Sequence, residues 1–101
     1  MSVTIQSEAN NDLFLNVSNQ NFRTLWSAFG FNANAMGEID PVDLLKEVDV
    51  TDPALIARET RAFSARHIEF GINEDKAVFY LEILRKLCQD AIDNECVIVW
   101  S

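Results

Sequence analysis

Apolar residues recur at two spacings along this chain, and the change from one to the other marks out its elements. Val3 and Ile5, then Leu13, Leu15 and Val17, alternate with mostly polar neighbours, the period of a strand covered on one face. The intervening Glu8-Ala9-Asn10-Asn11-Asp12 is rich in turn formers, so the two runs predict a hairpin. The period then lengthens. Phe22, Leu25, Trp26 and Phe29 fall within about 100° of arc at 3.6 residues per turn, with Ser18 and Asn19 able to cap the helix and Gly30 placed to stop it.

Phe31 to Gly37 has no periodicity and reads as loop. Asp40-Pro41 supplies a cap followed by proline at the first helical position, and Pro41, Leu44, Leu45 and Val48 give this short helix an apolar side. Asp52-Pro53 starts either a further helical turn or a bend. Ile68, Phe70 and Ile72 alternate as a strand, and Leu55 to Phe63 reads as its hairpin partner, with a helical connection as the alternative. Asn73 caps the longest helix, Glu74 to Asp93, whose Ala77, Tyr80, Leu81, Leu84, Leu87, Cys88, Ala91 and Ile92 form one broad apolar arc. The final run, Cys96-Val97-Ile98-Val99-Trp100, is apolar without alternation and suits a strand in the interior of a sheet.

A strand over 68–72, the long helix and the terminal strand together would make a β-α-β crossover with parallel strands. The expected fold is therefore α+β: one domain over residues 1–101, with a mixed sheet of four or five strands packed against three helices. With 49% hydrophobic residues, three Gly and two Pro in 101 residues, the composition is that of a packed globule. Met1 to Asp12 lacks the basic start and apolar run of a signal peptide, and no apolar stretch is long enough to cross a membrane. Two cysteines, Cys88 and Cys96, make no disulfide framework and are expected as reduced thiols in a cytoplasmic protein.

Charge changes the picture more than composition does. Sixteen acids oppose eight bases for a net charge of −8, and Glu38, Asp40, Asp43, Glu47, Asp49 and Asp52 crowd around the single base Lys46. Such a surface repels phosphate backbones and anionic lipid, which argues against direct nucleic-acid or membrane binding and favours a basic protein as partner. On a helical wheel Asp40, Asp43 and Glu47 lie within about 60° of one another while Asp49 points elsewhere. A solvated helix surface is the simplest account of these acids, and a small docking patch is the sharper one. The calcium-loop spacing D-x-D-x-D-G is absent.

Phe79 lies opposite the apolar arc of the long helix, with Ile83 one turn beyond. Either a second layer of core covers them, or they form a contact surface for a partner or a second copy. Trp26 with Phe22 and Phe29 reads as core rather than a ligand cage, and Trp100 as the residue that pins the terminal strand. Arg58, Arg61 and Arg66 form the one basic cluster and read as a solvated face.

His67 is the single histidine, no zinc spacing occurs, and both cysteines sit in apolar stretches that would raise a thiol pKa. Glycine-rich phosphate loops and a nucleophile elbow are absent. No catalytic, metal or cofactor site is expected. The expectation is a small acidic, non-catalytic interaction protein acting through Asp40, Asp43 and Glu47, through Phe79 and Ile83, or both. The alternative is a self-associating accessory domain.

Overall fold

Four strands form one antiparallel sheet and the helices cover one of its faces, an order that follows from where the apolar periods change. A computed structural model describes residues 2–57 and 72–101. The elements are β1 (Ser2–Ser7), β2 (Asn10–Ser18), α1 (Asn19–Phe29), β3 (Gly37–Ile39), α2 (Pro41–Val50), a helical segment α3 at 53–57, α4 (Glu74–Asp93) and β4 (Ile98–Trp100). The sheet order is β2-β1-β4-β3, with all three pairings antiparallel. The parallel part of the expected sheet rested on a strand over 68–72, of which only Ile72 is described.

The hairpin forms as its alternation demands. Val3 opposes Val17 and Ile5 opposes Leu15, all four buried, while Thr4 and Asn16 face outward and are joined by a 2.9 Å bond from Asn16 Nδ2 to Thr4 Oγ1. The pairing shifts between Gln6 and Ser7, so the turn tightens to Glu8-Ala9 and β2 begins at Asn10, earlier than the turn formers suggested.

Helix ends lie where local chemistry puts them. Ser18 Oγ accepts the Asn21 N–H at the start of α1, and Gly30, at φ 83°, closes the helix in the left-handed region that glycine enters without strain. Asp40 Oδ1 accepts the Val42 N–H ahead of Pro41, and Asn73 Oδ1 accepts the Lys76 N–H at the start of α4. Asp52 Oδ1 likewise accepts the Ala54 N–H, so residues 53–57 are helical. This corrects the expected hairpin partner over 55–63 as far as residue 57; the cap and the proline decide the local conformation before β propensity can. The rest of that stretch lies outside the described residues.

β3 is the strand that the apolar pattern does not reveal. Three residues, Gly37–Ile39, pair with Trp100, Val99 and Ile98, too short a run to show a period. Its presence makes β4 an interior strand, flanked by β1 and β3, as its unbroken apolar run implied.

The core forms between the inner face of the sheet and the apolar sides of α1, α2 and α4. Trp26, fully buried, sits at its aromatic centre, with ring centroids of Phe22 at 4.5 Å, Trp100 at 5.2 Å, Phe29 at 5.8 Å and Phe31 at 6.2 Å. The stripe on α1 is therefore core, not a cage. Trp100 closes the cluster and its Nε1 donates to the Asn34 carbonyl at 2.9 Å, which ties the loop at 31–36 to the last strand.

Candidate functional site

Packing settles which side of α2 faces solvent. Pro41, Leu44 and Val48 are buried in the core, so the helix turns Asp40 and Asp43 to solvent, with Glu47 half-buried alongside. Asp43 and Glu47 stand one turn apart on α2, whereas Asp40 is the extended N-cap residue just ahead of the helix and is not placed by the wheel. Asp49 faces elsewhere and forms a 2.9 Å ion pair with Arg85 of α4, the only ion pair among the described residues. Both partners are about half exposed, so the pair contributes at most about 1 kcal/mol. Asp40 spends one carboxylate oxygen on the helix cap and stays exposed.

The rest of the described surface is acidic in the same unbalanced way. Fourteen of the sixteen acids lie in the described residues but only five of the eight bases, and Lys46 is the one cation within α2. Asp43 and Glu47 have no cationic partner among the described residues. An arrangement of this kind has unspent Coulomb attraction for a basic surface, effective over roughly the 8 Å Debye length of physiological salt.

The two members of the second candidate patch have separated fates. Phe79 is 54% exposed beside Val78 at 40%, with its ring 6.2 Å from that of Tyr80, whereas Ile83 is half-buried against the core. Ile83 is therefore taken up in part by the core itself, and Phe79 is left largely in solvent.

Both cysteines are free. Cys88 is fully buried, and burial, reinforced by the negative charge of Asp49, pushes its thiol up to about 12 from an ordinary 9.0, which makes it a poor nucleophile. Cys96 is half-buried with its Sγ 3.2 Å from the hydroxyl of Ser7, a more polar neighbour than the apolar run around it suggested. His67 and the Arg58, Arg61 and Arg66 cluster lie outside the described residues. No group of three metal-ligating side chains occurs among the described residues, and no described helix is long and apolar enough to cross a membrane.

Sequence reasoning singled out nothing on the exposed side of α1. The structure places a cleft there, between the helix and the loop at 31–36, with Arg23 in its wall. One signal could have pointed to it: no acid occurs between Asp12 and Glu38. No family model matches the chain, and no curated protein or solved structure is significantly similar to it.

Proposed function

We propose that this chain is a small, acidic, non-catalytic interaction module that binds a protein with a basic surface through the solvent side of α2. The observation that carries the reading is that Asp43 and Glu47, one turn apart on a helix whose apolar side is packed in the core, have no cation paired to them among the described residues, with exposed Asp40 at the cap of the same helix. A docking surface of this kind gains attraction without ordering flexible chain, because the apolar side of the helix is already fixed in the core. The free thiols of Cys88 and Cys96 fit a reducing, cytoplasmic setting. Direct contact with nucleic acid is disfavoured by the same charge.

The test is capture from the native host with immobilised wild type and with the D40N/D43N/E47Q variant. Asn retains the helix cap at position 40, so the variant removes charge without removing the fold. Loss of the salt-sensitive proteins from the captured set supports the reading, and an unchanged set rejects it.

A second reading has its own observation. Phe79, an exposed aromatic next to exposed Val78, suits a homo-oligomer built on the N-terminal half of α4.

A further inference from the structure

We propose that the cleft between α1 and the loop at 31–36 binds a small organic anion with a planar face, held by Arg23. This site is independent of the acidic side of α2 and carries the opposite charge. Two adjoining openings, of about 680 and 250 Å³, share Asn19, Arg23 and Ala33 and run along the exposed side of α1. The larger has the size of pockets that take small ligands.

Charge singles the cleft out. Arg23 is the only charged side chain in either wall, and no Asp or Glu among the described residues lines them. In a chain with 16 acids, positions 13–37 hold none. Arg23 itself is exposed and makes no ion pair or hydrogen bond among the described residues, although unpaired acids abound elsewhere on the surface. Its planar fork of donors is left free for a carboxylate or phosphate, which it can grip with two parallel bonds. An anion entering the larger opening meets one cation and no acid side chain in its lining.

The remaining lining supplies a face and polar contacts. Phe31 is half-buried and held edge-on to Trp26 at 6.2 Å and 62°, which fixes one ring in the wall. The side-chain amides of Asn19, Gln20 and Asn32 can each donate and accept beside it. The cleft is preformed, because the Phe31 N–H donates to the Trp26 carbonyl at 2.8 Å and the Trp100 indole donates to the Asn34 carbonyl at 2.9 Å. A ligand need not order this wall in order to bind.

The experiment follows backbone amide shifts of the full chain by NMR during titration with benzoate, with benzamide as its neutral counterpart and with inorganic phosphate as an anion lacking a ring. Benzoate is expected to saturate in the millimolar range that a fragment of its size reaches, with shifts centred on residues 19–33. Benzamide and phosphate are expected to bind about tenfold more weakly, each lacking one half of the recognition. Arg23→Gln, which retains helix propensity at an exposed position, should erase the preference for benzoate over benzamide while thermal stability and the unliganded spectrum stay close to wild type. Shifts scattered over the surface, equal response to benzamide, or a preference that survives in Arg23→Gln would each overturn the proposal.

Discussion

Replacing Gly37 by alanine probes the junction on which β3, Trp100 and the loop wall depend together. A Cβ at this position would lie 2.6 Å from Trp100 Cζ2 and 3.0 Å from Cε2, so the indole must retreat until ordinary contact is restored near 3.4 Å. That ring has little room, with Trp26 at 5.2 Å, Phe22 at 5.8 Å and its Nε1 bonded to Asn34. Overpacking of this kind costs about 1–3 kcal/mol, and losing the indole hydrogen bond about 1 kcal/mol more. The smaller conformational freedom of unfolded alanine offsets about 0.4–1 kcal/mol. A net loss of about 1–3.6 kcal/mol is expected, which for a domain of this size lowers Tm by at least about 4 °C.

The assay is thermal and urea unfolding with near-ultraviolet circular dichroism, which reads the environment of the indoles directly. Gly30→Ala is the control, since nothing lies within 4 Å of its added Cβ and its cost comes only from the φ of 83°. That substitution should cost about 1 kcal/mol and leave the tryptophan signal intact. A Gly37→Ala protein within about 0.5 kcal/mol of wild type, with an unchanged tryptophan spectrum, would refute the tight β3–Trp100 packing, since surface changes alone stay within that range.

Two further outcomes follow from particular residues. The Cys88 thiol titrates at about 12 when folded against 9.0 for the ordinary group, so the unfolded chain loses this proton first. Its stabilising effect is whole below pH 9 and is lost as pH rises towards 12, by up to about 1.4 kcal/mol per unit. Stability of Cys88→Ala measured across that window should fall less steeply than that of wild type, and parallel curves would contradict the assignment. Phe79→Asp, at an exposed position, should leave unfolding within about 0.5 kcal/mol of wild type. Light scattering on both proteins then decides the second functional reading: a mass that drops to that of a monomer supports the α4 surface, and a monomer in both cases rejects it.

Where one local interaction decides the conformation, the chain could be read directly. Asn73 and Ser18 cap their helices, Gly30 terminates α1, and the alternation of Val3, Ile5, Leu15 and Val17 sets the inner face of the hairpin. The arc on α4 was legible for the same reason, because twenty residues repeat one period over five turns and more. β3 was not legible, since three residues around Gly37 and Glu38 become a strand only through a partner some sixty positions away. Leu55 misled because its apolar neighbours suggested a strand while the Asp52 cap and Pro53 had already committed the backbone to a helix.

The candidate surfaces divide along the same line. The one-turn spacing of Asp43 and Glu47, and Asp40 at the cap ahead of them, follow from local chemistry within one element, so they could be seen in advance. Ile83 and the cleft at Arg23 depend on which elements meet in space. Neither the partial covering of Ile83 nor the approach of the 31–36 loop to α1 is encoded in any single periodic segment.

The most direct test of the proposed role is the salt dependence of binding to the principal basic protein captured from the host, measured for wild type and for D40N/D43N/E47Q at a series of ionic strengths. The account predicts that wild-type affinity falls steeply with added salt, and that the variant binds about tenfold or more weakly at low salt with a visibly shallower slope, because three charges at the contact have gone. Equal affinity and equal slope for the two proteins would contradict it, and would move the working surface away from the solvent side of α2.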